Sequence, residues 1–282
     1  MLGQPTAAVD GDALPPLWHW LHFLDWPPES ALATDGHPSA GHFLPPIPDR
    51  RRMFAGGRPR IRQPLTVGQR AERVSPLAHS EVKHGRSGEL AFVTVRSDFR
   101  QHGETWVVEE LDCVYRSGDG TPRSVSASAS SAPRSAATWQ LTPHISATTL
   151  FRFSALTANA HRIHYDAPYA RETEGYPGLV VHGPLLAVLM LELVRRNDSR
   201  PVAEASFRLR RRPRHGHRIR LRGHGPEGGR SRHPERPRAP RNDPAGGDPH
   251  RGAERRGDLL KSESSVRVLP SAFACSCQVA CA

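Results

Sequence analysis

Apolar and polar residues alternate through much of the stretch from 61 to 115, and a period of two is typical of β-strands. The clearest runs are LAFVTVRSDF at 90–99 and TWVVEELDCVYR at 105–116. The segments KHGRSGE and RQHGE, which flank the first run, have the composition of turns. We predict a meander of antiparallel strands here, preceded by a short helix within LPPLWHWLHFLDW at 14–26.

The period changes in the later part of the chain. HGPLLAVLMLELVRRN, at 182–197, is apolar nearly all round and predicts a helix that a sheet wraps and buries. Pro184 suits its first turn, where a missing N–H has little effect. ISATTLFRFSALT, at 145–157, predicts a strand, and another strand is expected at 203–210. Strands combined with segregated helices indicate the α+β class.

Two stretches between these elements predict connections. Residues 27–60 are rich in Pro, Gly and His and predict an ordered loop that leads into a strand. Within it, Arg50, Arg51 and Arg52 could meet a phosphate or could simply form a solvated turn. Residues 117–138 are rich in Gly, Ser, Ala and Pro, and predict a flexible linker between two halves of the chain.

The composition changes after Arg210. Residues 211–260 hold 14 Arg, 9 Gly and 7 Pro, without an aromatic residue or a Val. No helical or strand period is evident, so we predict a disordered tail over 211–282 and a sheet that stops early. Such a composition is common when a GC-rich gene is translated out of frame. We hypothesise that the reading frame is lost near 211–216.

The net charge of +11 belongs to this tail. Residues 1–210 hold 23 Lys+Arg and 21 Asp+Glu, whereas residues 211–282 hold 16 and 7. The body therefore gives no electrostatic reason to expect nucleic acid. Three of the 4 cysteines lie in the last eight residues, which excludes a dispersed disulfide framework. Without a signal peptide or a spanning segment, a soluble cytoplasmic protein with no membrane partner is expected.

The richest chemistry lies in FSALTANAHRIHYD, at 153–166. His161, His164 and Asp166 have the spacing of metal ligands, but nothing completes the set in a chain with 16 His, and no metal is expected. A second interpretation is that these polar groups only satisfy the backbone. A third is acid–base work, in which His164 moves a proton and Asn159 holds a water.

This motif and the following PYARETEGYPGLVVHGPLL, at 168–186, resemble the hydratase motif of the MaoC-like hotdog dehydratases. The resemblance is strongest to the mesaconyl-CoA and itaconyl-CoA hydratase branch, which is similar to the mitochondrial type 2 hydroxyacyl-thioester dehydratases. LPPLWHWLHFL and FLPPIPDRRRMFAGGR also resemble that branch, so the resemblance covers about 13–212.

The resemblance implies a double hotdog, in which an antiparallel sheet wraps a central helix twice. Its degenerate first half would be 13–116 and its catalytic second half, truncated, would be 139–210. The implied reaction is addition or removal of water across the α,β double bond of an acyl-CoA thioester. No cofactor is expected. The protein is expected to form a homo-oligomer.

The wider family pattern has an aspartate and a histidine five residues apart, and here Asn159 stands at the aspartate position. The resemblance therefore implies that Asn159 orients water and His164 carries the proton. The N–H of Gly183, or of His182, would stabilise charge on the thioester oxygen at a helix N-terminus. Tyr169 and Tyr176 could line the acyl pocket, or could equally serve packing.

Two other functions stay open. A hotdog thioesterase would bind the same thioesters, but requires a carboxylate nucleophile or base that the sequence near the helix does not show. A non-enzymatic basic protein would use the tail to bind nucleic acid. The tail lacks interleaved aromatic residues, which makes nucleic acid the weaker hypothesis.

Overall fold

The computed structural model describes residues 8–41, 43–47, 50–85, 88–117, 138–209, 219–224, 264–270 and 275–281. The predicted linker, apart from its two end residues, lies outside these ranges. So does most of the predicted tail.

The predicted meander of the first half is confirmed. β3 (Leu77–Gly85), β4 (Gly88–Gln101) and β5 (Glu104–Ser117) pair in antiparallel order, and the short β2 (Glu72–Val74) lies beside β4. His102 and Gly103 join β4 to β5 with φ values of 53° and 81°. Two consecutive positive φ angles are typical of the tight hairpin turn that matches strand twist.

The N-terminal part of this half is less helical than expected. The predicted helix is reduced to a single 3-10 turn, Trp18–Leu21, and a second 3-10 turn spans Glu29–Ala31. The predicted loop ends earlier than expected, because β1 already begins at Arg50 and continues to Ile61.

β1 joins the two halves of the molecule. On one side it pairs with β5 along its whole length, and on the other it pairs with β7 (Val202–Arg208) of the second half. The strands form one sheet in the order β2-β4-β5-β1-β7-β9-β10-β8-β6, with β3 also paired to β4. β6 (Trp139–Leu141) is the edge strand of the second half.

The sheet does not stop at Arg210, in contrast to the prediction. β8 (Ile219–His224), β9 (Ser264–Pro270) and β10 (Cys275–Cys281) extend it beyond β7, all in antiparallel pairs. In β8 the apolar residues alternate with arginines, so that Ile219 and Leu221 point inward and are fully buried. The high arginine content concealed this period of two.

The long helix confirms the prediction of a helix buried on all sides. α3 spans Gly183–Asn197, and all ten residues from Leu185 to Val194 are buried. It packs against β1, β6, β8 and β9, so the sheet of the second half covers it. The one acidic residue in this run, Glu192, is satisfied by ion pairs with Arg195 and Arg196.

The strand predicted at 145–157 is instead a helix, α1 (Ala147–Leu156). Ser146 accepts a hydrogen bond from the Thr149 N–H, and the Thr149 hydroxyl reaches back to the Ser146 N–H. This capping box starts a helix despite the β-branched residues in its first turn. Leu150, Phe153 and Ser154 then form its buried face.

Among the described residues, no helix is long and apolar enough to cross a membrane.

Candidate active site

A cavity of about 790 Å³ lies between the two halves of the chain. Its wall includes three residues of the predicted site, Asn159, His164 and Gly183. The first half contributes residues of the N-terminal segment and of β1, β4 and β5. The described chain therefore forms one shared chamber rather than a pocket within the second half alone.

The end of α1 fixes Asn159. The Asn159 N–H donates to the Ser154 carbonyl at 2.9 Å, and the Ala158 N–H donates to the Ala155 carbonyl at 3.4 Å. Ala158 has a φ of 51°, so this is a Schellman turn with alanine at the left-handed position. The Asn159 Oδ1 accepts the His161 N–H at 3.1 Å, which fixes the side chain at the cavity wall.

His164 is buried at the end of a 3-10 turn, Arg162–His164. Its Nδ1 lies 2.8 Å from the Val180 carbonyl oxygen. Because a carbonyl can only accept, Nδ1 carries the proton, and Nε2 of the neutral ring is the basic nitrogen. A backbone partner on Nδ1 is a common means of fixing a histidine tautomer for proton transfer.

His182 lies behind His164 and is fully buried. The two rings stack, with centroids 3.6 Å apart and an interplanar angle of 18°. The His182 Nε2 is 2.9 Å from the Ser154 hydroxyl, while its Nδ1 has no hydrogen-bond partner. Burial, and the charge that His164 would carry, hold the pKa of His182 well below 6.5. His182 therefore supports His164 as a neutral ring and is not part of the cavity wall.

Gly183 is the first residue of α3 and lies at the cavity wall. The first N–H groups of a helix have no acceptor within the helix, and the helix dipole favours negative charge beside them. A Cβ on Gly183 would lie 2.6 Å from Leu209 Cδ1 and 2.9 Å from Phe54 Cδ1. Residue 183 must therefore lack a side chain, because Leu209 and Phe54 already pack against its Cα.

Tyr169 and Tyr176 do not line the cavity. They belong to a separate apolar cluster with Ile163, Ala170 and Val180. The Tyr169 ring also stacks beneath the Arg162 guanidinium at 4.0 Å. Of the two roles considered for these tyrosines, this position supports packing.

The metal set suggested by the sequence is not assembled. Asp166 accepts the Tyr169 N–H as the N-cap of α2 (Ala167–Glu172) and forms an ion pair with Arg162. His164 is turned to the Val180 carbonyl. His161 instead packs on the ring of His37, which hydrogen-bonds Asp35.

Asp35, His37 and His161 place their ligand atoms within 4.8 Å of one another. The His37 Nδ1 and N–H both bind the Asp35 carboxylate, at 3.0 and 2.9 Å. The resulting pKa of Asp35 is lowered against the effect of its own burial. The ring contact of His37 with His161 ties the Gly36 turn of the first half to the 153–166 motif of the second.

Sequence reasoning missed a buried polar group in the first half. Both oxygens of Glu109 accept the Trp20 indole N–H, at 3.0 and 2.9 Å, and His19 lies 3.5 Å away. All three line the cavity. The alternation of β5 places Glu109 on the inward face with Val107, so the strand pattern itself carries the signal.

Sequence comparison identifies the class of enzyme to which the chain belongs. Residues 17–213 match the family described as hydroxyacyl-thioester dehydratase type 2. The chain belongs to this family. The match ends close to the point where the composition changes.

Two relatives share much of the chain. The mesaconyl-C(4)-CoA hydratase of Chloroflexus aurantiacus is 49% identical over 241 residues, which cover 80% of this chain and 85% of the relative. The mitochondrial hydroxyacyl-thioester dehydratase type 2 of Schizosaccharomyces pombe is 30% identical over 220 residues, covering 68% and 71%. The predicted family is confirmed.

Solved structures show the same fold. A MaoC-like dehydratase has a TM-score of 0.52 at 12% identity and covers 83% of this chain and 76% of its own. HtdX of Mycobacterium tuberculosis has a TM-score of 0.50 at 11% identity, with 81% and 76% covered. These likenesses confirm the predicted hotdog class, with an antiparallel sheet and few helices.

Proposed function

We propose that this protein is an acyl-CoA hydratase/dehydratase, which adds or removes water across the α,β double bond of the thioester. The fixed tautomer of His164 carries the proposal, because it leaves one basic nitrogen on a buried ring at the cavity wall. Family membership and the names of the two relatives support the same activity.

In the hydration direction, the oxygen of a water adds to the β-carbon and His164 Nε2 takes a proton from that water. The electron pair of the double bond moves toward the thioester, whose oxygen gains negative charge. The Gly183 N–H stabilises this charge at the start of α3. The imidazolium then gives its proton to the α-carbon, which restores neutral His164. Dehydration is the reverse.

Asn159 positions the water in this proposal. Its Oδ1 already accepts the His161 N–H, and the remaining lone pair and the amide N–H groups are the atoms suited to a water. An amide does not act as a base, so the proton transfer depends on His164 alone. This distinguishes the site from one with an aspartate at residue 159.

The thioesterase hypothesis gains nothing from Glu109, the buried carboxylate of the cavity wall. Glu109 is held by the Trp20 indole through both oxygens, and His19 lies beside it. A nucleophile or general base must approach the reacting carbon or its water. Both oxygens of this carboxylate instead accept the indole N–H of Trp20.

We propose the domain boundaries that the sequence predicts, and we extend the catalytic half to include β8, β9 and β10. A cytoplasmic location and a homo-oligomeric state also remain predictions. A site built from one chain's two halves does not require a second copy to complete it.

The activity can be measured as hydration of mesaconyl-CoA and crotonyl-CoA, followed by loss of the conjugated thioester absorbance. We expect turnover by the full chain and a reduction of about 10²–10⁴-fold for His164→Ala, because the proton carrier is removed. His79→Ala, on the exposed face of β3, is the matched control and should retain full activity. Equal activity with and without His164 would refute the site.

The reading-frame hypothesis requires a separate comparison. The gene near codons 211–216 is sequenced and translated in the other two frames, and a frame-restored chain is assayed beside the present one. If neither alternative frame encodes residues that alternate between apolar and polar as in a β-strand, the hypothesis fails.

A further inference from the structure

Three side chains with metal-binding atoms meet where the two halves of the chain touch, at the wall of the cavity. Asp35 and His37 belong to a turn of the first half, and His161 belongs to the 153–166 motif of the second. Their ligand atoms lie within 4.8 Å of one another. Across the part of the chain that the structure describes, this is the one group of three or more His, Cys, Asp or Glu side chains at such a spacing.

Other contacts hold the two segments together in advance. The Arg162 N–H donates to the Asp35 carbonyl at 2.9 Å, and the Arg162 Nη1 donates to the Thr34 carbonyl at 3.1 Å. Gly36 packs so closely on the second half that a Cβ there would overlap the Ala160 carbonyl oxygen. The segments that carry the three ligands are therefore preorganised, which lowers the entropic cost of binding an ion.

The types of ligand and their spacing both suit a transition-metal ion. Imidazole nitrogen and carboxylate oxygen coordinate zinc at about 2.0–2.2 Å, so two ligands of a tetrahedral ion lie about 3.3 Å apart. The Asp35 Oδ2 is 3.0 Å from the His37 Nδ1. The His37 and His161 ring centroids are 4.1 Å apart. Small rotations of the side chains therefore bring the three groups around one ion.

The site is shielded from water but is not closed. His161 is 7% exposed, and the side chains of His37 and Asp35 are 16% and 17% exposed. His37 and His161 line the cavity, so a fourth coordination position can face it. Three protein ligands and one open position are typical of zinc sites that keep a water or an added ligand.

We propose that this site binds one divalent transition-metal ion, for which zinc is best suited, through Asp35, His37 and His161. The ion clamps the turn of the first half to the motif that carries Asn159 and His164. The His161 N–H donates to the Asn159 Oδ1 at 3.1 Å, so the clamp also steadies the residue proposed to hold the water. The inference does not depend on the hydratase activity, because metal binding is measured directly.

The charges around the site set its affinity. Asp35 supplies the single negative charge among the three ligands, and it also interacts with the cation of Arg52. A nearby cation weakens the attraction of the site for a divalent ion. We therefore expect a dissociation constant on the order of 1 μM, weaker than that of structural zinc sites.

Other possible ligands in the chain must be separated from this site. Cys275, Cys277 and Cys281 lie close together in the sequence and can bind zinc as thiolates. An exposed histidine beside a carboxylate, such as His84 at 3.2 Å from Glu89, can bind it weakly. Co²⁺ distinguishes these cases, because thiolate ligands give strong charge-transfer absorption in the near ultraviolet and nitrogen and oxygen ligands do not.

The test measures Zn²⁺ binding by calorimetry to the full chain, prepared without a polyhistidine tag and stripped of metal with a chelator. We expect one equivalent to bind and to raise the unfolding temperature. Asp35→Asn and His161→Gln should each lower the affinity at least about 100-fold, because losing a ligand has a larger effect than losing an outer-shell partner. His84→Ala is the matched control and should bind as the wild type does.

Asp35→Asn keeps the shape of the side chain, and the unfolding temperature without metal verifies the fold of each variant. Equal affinities of the wild type and both variants would overturn the proposal, and a thiolate spectrum with Co²⁺ would assign the ion to the cysteines. A wild-type chain that binds no equivalent of zinc would also overturn it. Zinc binding without hydration of any thioester would leave this site in place and refute the proposed function alone.

Discussion

The buried, neutral imidazole of His182, stacked on His164, couples the stability of the fold to pH. The pKa of His182 is held well below 6.5 by burial and by the proximity of His164. In the unfolded chain the same ring has its ordinary pKa, so below about pH 6.5 the unfolded state binds more protons than the folded state. The free energy of unfolding must therefore fall as the pH decreases through this range.

As the pH falls below 6.5, protonation of His182 in the unfolded state should lower the unfolding free energy of the wild-type chain. The decrease should be up to about 1.4 kcal/mol for each pH unit. His182→Gln removes this titration and should flatten the profile between pH 7 and pH 5. Denaturant unfolding at several pH values provides the measurement. His79→Gln, at an exposed site, is the control and should leave the slope as in the wild type. Parallel wild-type and His182→Gln profiles would contradict the neutral assignment.

Gly183 offers a second test at the residue scale. Gly183→Ala places a Cβ against Leu209 and Phe54, so we expect a loss of about 1–3 kcal/mol in unfolding free energy and a large decrease in kcat. Gly178→Ala is the matched control, because a Cβ there meets no atom within 4 Å. If Gly183→Ala retained full activity, the thioester would not approach this N–H.

Among the elements, α1 shows how strain is used to hold a site residue. Ala158 occupies the left-handed position of the Schellman turn, where glycine is the usual residue, and an alanine there costs about 1 kcal/mol. The turn delivers Asn159 to the cavity wall. We expect Ala158→Gly to stabilise the protein by up to about 1 kcal/mol, read from thermal unfolding.

Ala155→Gly provides the comparison within the same helix. Ala155 has helical geometry, so glycine there should destabilise by about 0.5–1 kcal/mol. Opposite signs for the two substitutions are required by the turn geometry. Two destabilising substitutions would mean that Ala158 is not left-handed in solution.

The sequence predicts elements well where one period dominates. α3 is apolar on every face, and β4 and β5 alternate regularly, so their type follows from burial alone. The β-branched residues of the α1 segment favour a strand. In the structure, the capping box at Ser146 starts a helix instead. β8 was missed because arginines alternate with its apolar residues in the sequence.

The candidate site was only partly predictable for a related reason. His164, Asn159 and Gly183 lie within 25 residues of each other in the sequence and form a recognisable motif. Arg52 and Glu109 come from the distant first half, and contacts between the halves, such as the pairing of β1 with β7, bring that half to the same cavity. No local pattern records which strands of the two halves become neighbours.

At the scale of the whole molecule, the strands after Arg210 close the sheet over α3. Ile219 and Leu221 of β8 are fully buried in the same core as the helix. Deleting residues 214–282 removes β8 and β9, two of the strands that pack against α3, and should therefore expose an apolar face of this helix. We expect binding of a hydrophobic dye and self-association on size-exclusion chromatography.

A milder change tests the same contact in the full chain. Leu221→Ala should lower the unfolding free energy by about 2–5 kcal/mol, as for a buried leucine. Val82→Ala on the exposed face of β3 should have little effect. If the deleted chain stayed monomeric and did not bind dye, β8 would not cover α3 in solution.

The junction at β1 also has a consequence for the order of folding. The hairpins β3–β4 and β4–β5 join residues close in sequence, whereas β1 and β7 pair residues such as Gly57 and Phe207. Closing so long a loop is slow, since its entropy must be lost before the contacts form. During synthesis the first half can therefore assemble on its own before β7 leaves the ribosome. The cavity, which needs both halves, forms last, and catalysis can begin only when the slowest pairing is complete.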